Sequence, residues 1–211
     1  MISKQAKAGD PARHWQAVWR DKPPEETSWH QDEPAVSLDL LRHAGADPAQ
    51  PLIDVGGGAS RLVDRLLGAG HTDLTVLDIA PEALAHARAR LGEAAERVAW
   101  IVADITGWRP ERRYTFWHDR AVFHFLRDLA DQRAYGRTLE AALAADGQVI
   151  IATFALDGSA QCSGLPVERH DARSLVAALG GGFAVLETRH EQHSTPSGKS
   201  QSYFWCRLKR A

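Results

Sequence analysis

The sequence predicts an α/β fold: a doubly wound, mostly parallel seven-stranded sheet with a C-terminal antiparallel β-hairpin and helices on both faces. Two observations support this. From residue 50 onward short apolar segments alternate with amphipathic ones, the pattern of parallel strands joined by helices. The last two apolar segments follow each other with no helix between them, so the final strand must run antiparallel to its neighbour.

The predicted elements follow in a regular order. The strands are expected at residues 51–56, 74–79, 98–105, 114–120, 148–155, 183–193 and 200–210. Helices are expected at 60–70, 81–92, 131–147 and 171–181, the second with Pro81 in its first turn and Gly92 at its end. Residues 157–170 are rich in Gly, Ser and Pro and predict a long loop.

The N-terminal residues 1–33 form a polar arm that nevertheless carries Trp15, Trp19 and Trp29. A disordered tail seldom contains three tryptophans, because burying them would fold it. We predict a short helix over 14–20, with Trp15 and Trp19 on one face, followed by a loop over 22–31. The arm either packs on the outside of the domain or forms a lid over a ligand site. Residues 34–211 are predicted to form a single domain.

Composition bounds the function class. The net charge of −2 argues against a nucleic-acid binder that relies on bulk electrostatics. The two cysteines lie far apart without metal-type spacing, so we expect no disulfide framework and no metal site. No apolar run has the length of a membrane span, and the N-terminus lacks the apolar region of a secretory signal. We expect a cytoplasmic protein that is a monomer or a weak homodimer.

Residues 53–60, IDVGGGAS, look like a nucleotide-binding loop. A dinucleotide fingerprint starting at Gly56 would need a third glycine at position 61, where Arg61 stands. Asp78, about 20 residues after the loop, could accept hydrogen bonds from ribose hydroxyls of NAD or of another adenosine. Asp54 distinguishes better between NAD and S-adenosylmethionine. Its negative charge would repel the pyrophosphate of NAD and suit the ammonium group of S-adenosylmethionine.

Together these segments resemble the seven-stranded, class I S-adenosylmethionine-dependent methyltransferases. IDVGGGAS is similar to the family's first motif, TVLDI to its second strand, VADI to its adenine-binding segment and ADGQVIIATF to its fifth strand. The resemblance implies S-adenosylmethionine as cofactor and S-adenosylhomocysteine as product. The residues it implies for the cofactor are Asp54, Gly56, Gly57 and Gly58 around the methionine part, Asp78 and Ile79 at the ribose, and Asp104 and Ile105 at the adenine.

The end of the fourth strand supplies the remaining candidates. In the family this strand faces the methyl donor, which implies that Asp119 and Arg120 contact the cofactor. Asp119 and His124 are the candidate catalytic residues, since a histidine there could take a proton from the acceptor. The alternative is that His124 is a structural or cofactor-packing residue. The candidate substrate contacts are Trp29, Phe123 and Cys162.

The acceptor is expected to be a small molecule. The N-terminal arm also resembles that of a subgroup that includes protein lysine methyltransferases, but there the fourth strand continues Asp-Lys-Gly-Thr-x-Asp-Ala, whereas here it continues DRAVFHFL. A protein lysine acceptor is therefore the alternative. From another class, an NAD-dependent oxidoreductase would usually need a Tyr-x-x-x-Lys pair, and Tyr135 is followed four residues later by Leu139. A non-catalytic nucleotide-binding protein also stays open, and Ser60 is either a ligand donor or a helix cap.

Overall fold

A computed structural model describes residues 10–211 and contains the predicted sheet. Its strand order is β3-β2-β1-β4-β5-β9-β8, in which β9 runs antiparallel to both of its neighbours and the remaining pairs are parallel. The predicted fold class is confirmed. The seven strands are β1 (Leu52–Val55), β2 (Leu74–Asp78), β3 (Val98–Val102), β4 (Tyr114–Arg120), β5 (Leu143–Phe154), β8 (Phe183–Ser194) and β9 (Ser200–Arg210).

Six helices surround the sheet in the part of the chain from residue 10 onward. They are α1 (Pro11–Asp21), α2 (Ala35–His43), α3 (Leu62–Gly68), α4 (Pro81–Leu91), α5 (Leu129–Ala142) and α6 (Ala172–Ala178). Short 3-10 turns lie at Pro24–Glu26, Gly92–Arg97 and Phe123–Phe125. The loop over 157–170 contains a small separate hairpin of β6 (Gln161–Cys162) and β7 (Leu165–Pro166). None of these helices is long and apolar enough to cross a membrane.

Two element predictions need correction. Helix α2 was not predicted, because its apolar residues occupy fewer than three turns and Pro34 caps it without a side-chain hydrogen bond. The helix expected over 131–147 ends instead at Ala142, since Leu143 already pairs with Tyr114 of β4. The register then shifts so that Phe116 pairs with Gln148, and residues 144–147 are accommodated as an irregularity in β5.

The sheet separates two hydrophobic cores. The first core lies against α2, α3 and α4 and contains Leu52 and Phe116, whereas the second core lies against α5 and α6 and contains Ile53 and Trp117. Neighbouring residues of one strand thus enter opposite cores, as the two-residue repeat of a strand requires. This alternation decides which strand-end side chains can share a site.

The arm is folded onto the domain. Trp19 is 6% exposed and packs with Ala59, Ala80 and Ala83, while its backbone carbonyl lies 3.1 Å from Nε2 of His86 in α4. The three arm tryptophans meet edge to face, with ring centroids of Trp15 and Trp19 at 5.9 and 5.7 Å from that of Trp29. The predicted helix over 14–20 is present as the longer α1. The first nine residues of the predicted arm lie outside the described residues.

Replacing Leu139 by Ala in α5 is expected to lower the free energy of unfolding by about 2–5 kcal/mol, because truncating a fully buried side chain leaves a cavity in the second core. Leu129 lies in the same helix but is 67% exposed, so Leu129→Ala is the matched control, with an expected change below about 0.5 kcal/mol. Equilibrium urea unfolding measures both. Equal losses in the two variants would contradict this account of the core.

Candidate cofactor and acceptor site

The candidate site lies at the carboxyl ends of β1 and β4, where the strand order reverses. In open α/β sheets ligands bind at this switch point. The chain leaves β1 through a tight turn in which Gly56 and Gly58 have positive φ values of 65° and 45°. The N–H of Gly56 donates to the carbonyl of Leu77 in β2 at 2.6 Å, which holds the turn against the neighbouring strand.

The glycines of this turn pack directly against two acids. A Cβ atom at Gly57 would lie 2.6 Å from Oδ2 of Asp54, and one at Gly58 would lie 3.0 Å from Oδ2 of Asp78. Gly56 is required for a different reason, because a Cβ there would collide with the side chain of Val122. The turn therefore brings the carboxylates at the ends of β1 and β2 onto one short stretch of backbone. This arrangement fits a ligand that carries an amino acid part and a ribose.

Asp54 has a partner that the sequence analysis did not identify. His118 is its register partner on β4, and Nδ1 of His118 lies 2.7 Å from Oδ1 of Asp54. Nε2 of the same ring lies 3.0 Å from Oγ of Ser37 in α2. All three side chains are buried. The only signal in the sequence was that His118 lies near the end of the fourth strand, as Asp54 does on the first. The contact with Ser37 depends on α2, a helix that was not predicted.

Asp78 is buried at the end of β2, where Oδ1 accepts a hydrogen bond of 2.8 Å from the N–H of Ala80. Burial raises the pKa of Asp78 to about 7; the hydrogen bond from Ala80 opposes this and the negative charge of Asp54 adds to it. Ile79 follows it, half-buried. A carboxyl group in this state is costly to keep charged without further donors, and ribose hydroxyls are such donors.

The two residues predicted to lie at the adenine, Asp104 and Ile105, differ in burial. Asp104 follows β3, is exposed, and accepts hydrogen bonds from N–H and Oγ of Thr106 at 2.9 and 2.8 Å. Ile105 is buried in the second core. Ser60 accepts a hydrogen bond of 3.1 Å from the N–H of Leu62 at the start of α3, so its hydroxyl acts as a local cap.

A cavity of about 50 Å³ lies above the glycine turn. Its floor is formed by β1, β4, α2 and the turn, and its roof by the arm and the adjoining Pro34. The floor residues are Ser37, Asp54, Gly56, Gly57, Ala59, Ser60, His118 and Arg120, and the roof residues are Trp19, Pro24, Thr27, Trp29, His30, Gln31 and Pro34. Cofactor pockets generally have volumes of roughly 300–1,000 Å³, so this cavity is smaller than a bound nucleoside needs.

Asp119 does not reach this cavity, contrary to its expected catalytic and cofactor-binding role. It is one residue from His118 and one from Arg120, so strand alternation turns it to the opposite face of the sheet. There it is 0% exposed, and it accepts hydrogen bonds from the N–H groups of Val122 and Phe123 and from the Tyr135 hydroxyl. Burial raises the pKa of Asp119 to about 6, against the effect of these hydrogen bonds. The geometry gives it a structural role.

His124 is also enclosed rather than placed at the cavity. Its ring packs edge to face on Phe125 and Phe154, and it is fully buried. Burial lowers the pKa of His124 to about 3, with smaller contributions from His170 and Arg120, so the imidazole is neutral at neutral pH. A catalytic role as a proton acceptor does not fit this packing.

The three substrate candidates behave differently. Trp29 lines the cavity, and its carbonyl accepts a hydrogen bond of 2.9 Å from Nη1 of Arg120. Phe123 is fully buried against Tyr135 in the second core. Cys162 is buried in the first core, and burial raises the pKa of its thiol to about 11. Neither Phe123 nor Cys162 lines the cavity, because packing within the domain encloses both.

Comparison with known proteins finds a matching family model. Residues 52–147, from the start of β1 to the irregular segment of β5, match a family model described as a methyltransferase domain. This segment covers 96 of the 211 residues and is similar to that domain. This match and the strand order confirm the resemblance to class I methyltransferases, and the methyltransferase domain contains the glycine turn and Asp78.

The chain is also similar to proteins described as methyltransferases or nodulation proteins. Nodulation protein S of Rhizobium tropici is 27% identical over 152 residues, 71% of this chain, and the chain spans only 57% of that relative's length. The solved structure of the N-methyltransferase NodS from Bradyrhizobium japonicum WM9 with S-adenosylhomocysteine is 18% identical with a TM-score of 0.69, covering 95% of this chain and 99% of that one. The Burkholderia thailandensis 1,6-didemethyltoxoflavin-N1-methyltransferase, solved with 1,6-didemethyltoxoflavin and S-adenosylhomocysteine, is 21% identical with a TM-score of 0.68, covering 98% and 93%. At these identities the structural likeness shows a shared fold.

The raised pKa of Asp78 makes a prediction about stability and pH. Between about pH 4 and pH 7 the folded protein keeps a proton that the unfolded chain has released, so stability falls as pH rises through this window. Asp78→Asn removes the titrating group, so the folding equilibrium constant should depend less on pH. The expected reduction is up to about a factor of ten for each pH unit in this window. Urea unfolding of both proteins at several pH values between 4 and 7 measures the slopes. Identical slopes would show that Asp78 does not titrate in this range.

Proposed function

We propose that the protein is an S-adenosylmethionine-dependent methyltransferase that acts on a small molecule. The observation that carries this proposal is the glycine turn at the switch point, packed between Asp54 and Asp78. An acid beside the turn suits an ammonium group, and an acid at the end of β2 suits ribose hydroxyls. S-adenosylmethionine has both groups and, when bound, supplies a methyl group already activated on a sulfonium sulfur.

The side chains of this chain would bind, orient and shield. The His118 ring holds the Asp54 carboxylate at a fixed angle beside the turn, with Ser37 fixing the ring in turn. A preorganised acid of this kind aligns a cationic ligand without reorganisation, and alignment is the main requirement of an in-line transfer. The arm, through Trp19 and Trp29, would exclude water from the closed site.

A small-molecule acceptor is favoured by three points. The fourth strand lacks the continuation expected of the protein lysine subgroup, and the solved structural neighbour from Burkholderia thailandensis holds 1,6-didemethyltoxoflavin. The acceptor side of the cavity is enclosed by the arm rather than open to a protein surface. We propose cofactor contacts at Asp54 and Gly57, which line the cavity, and at Gly58, Asp78 and Ile79 beside it. The exposed Asp104 would lie at the outer rim, and the buried Ile105 would support it from the second core.

Titration calorimetry with S-adenosylhomocysteine tests the cofactor. The wild type is expected to bind it and not NAD, and Asp78→Ala is expected to weaken binding about tenfold or more because the ribose hydroxyls lose their acceptor. Asp73→Ala is the matched control, since Asp73 precedes the same strand and pairs with Arg112 on the surface. Binding of NAD instead, or equal losses in the two variants, would refute the assignment.

Incubation with tritiated S-adenosylmethionine in cell lysate tests the acceptor class, as label in the small-molecule fraction would support the proposal. Label in a protein band would favour the protein lysine alternative.

The arm over residues 10–33 is proposed as a lid. Trp19→Ala is expected to raise the dissociation rate of S-adenosylhomocysteine about tenfold or more, because the arm loses its anchor against Gly58 and Ala83. Arg13→Ala is the control on the same helix, since its side chain is exposed. Stopped-flow displacement measures both rates. An unchanged rate in Trp19→Ala would show that α1 is only an outer support.

A further inference from the structure

Arg120 is the arginine of the cavity floor and lines the same cavity as Gly56 and Gly57. It lies on β4, and its guanidinium carbon is 4.6 Å from the ring centroid of Tyr203 on β9. In the sheet order, β5 and β9 lie on one side of β4, whereas β1 with the glycine turn and β2 with Asp78 lie on the other. The guanidinium therefore extends away from the position proposed for the cofactor.

Two of its donors are unused. Nη1 donates to the carbonyl of Trp29, whereas Nε and Nη2 are shielded from solvent and have no hydrogen-bond partner. These two nitrogens form one edge of the planar guanidinium, the edge that binds a carboxylate through two parallel hydrogen bonds. Leaving buried donors without a partner costs free energy, which a bound acceptor group would offset.

The charge of Arg120 is also uncompensated. Within residues 10–211 no carboxylate oxygen lies within 4.0 Å of its guanidinium, whereas Arg90, Arg112 and Arg207 each have one. Burial and then Arg120 lower the pKa of the neighbouring His193. The nearest acid on the floor, Asp54, is engaged by His118. Arg120 thus has a positive charge without a carboxylate partner and a pair of shielded donors on its β9 side.

We propose that the Nε and Nη2 edge of Arg120 binds a carboxylate on the methyl acceptor, so that the substrates are anionic small molecules. This inference rests on the proposed function, which places the cofactor over β1 and β2 and leaves the β4–β9 side to the acceptor. Arg120 is then a specificity residue that fixes the orientation of the acceptor, and Tyr203 holds the guanidinium plane in place.

Calorimetry with benzoate and its neutral isostere benzamide tests the proposal on protein saturated with S-adenosylhomocysteine. The wild type is expected to bind benzoate about tenfold or more tightly than benzamide, and Arg120→Met is expected to abolish the preference. Arg112→Met is the matched control: Arg112 also lies over a tyrosine ring, at 5.3 Å, but is exposed and paired with Asp73. Arg120→Lys keeps the charge without the paired edge and should lose most of the preference, which covers the case in which Arg120→Met does not fold.

Three results would overturn the proposal. They are the lack of a benzoate preference in the wild type, including no binding of either probe; a preference retained in both Arg120 variants; and a loss of S-adenosylhomocysteine affinity in Arg120→Met as large as the loss for benzoate. The last result would assign the guanidinium to the carboxylate of the cofactor. If the wild type fails to bind S-adenosylhomocysteine, the proposed function fails, and the benzoate titration without it still tests Arg120 separately.

Discussion

The arrangement of the site depends on the burial of β1 and β4 in the middle of the sheet with a hydrophobic core on each side. Because successive side chains enter opposite cores, Asp54, His118 and Arg120 emerge on the face covered by α2 and the arm, and Asp119 emerges on the face covered by α5. The register of β1 and β4 then places Asp54 and His118 side by side on that face. A shift of β4 by one residue would exchange the two sets of side chains and remove the cavity floor.

Three aspartates at the ends of neighbouring strands show how strongly surroundings decide chemical character. Asp54 is matched by an imidazole, Asp119 by two backbone donors and a phenol, and Asp78 by a backbone N–H. Asp54 and Asp78 both pack against the glycine turn, and the pKa of Asp78 is raised to about 7. The same residue type thus has three roles. Asp54 is held in a fixed orientation by an imidazole, Asp119 supports the structure, and Asp78 has a pKa close to neutral pH.

The sequence predicted the fold because the alternation of strands and helices, the glycine and proline boundaries and the helix-free final strand pair are all local signals. It also predicted Asp54, the glycine turn and Asp78 as neighbours, since parallel strands end at one edge. It did not identify His118 or Ser37, because their roles arise from cross-strand register and from a helix with few apolar residues. Asp119 was misplaced for a related reason: the repeat shows that neighbours face opposite ways, but only tertiary packing tells which way leads to the cavity. His124 lies in a turn, where no periodicity predicts burial.

The edge-to-face cluster of Trp15, Trp19 and Trp29 gives the arm an optical signature. Indole emission depends on the polarity around the ring, and these rings lie between the glycine turn and Phe125, on the segment that we propose to be a lid. Trp117 and Trp205 are buried in the two cores, whereas Trp100 and Trp108 are half-buried against them. If the arm opens as proposed, intrinsic fluorescence would report the change in polarity around its three rings without any attached label.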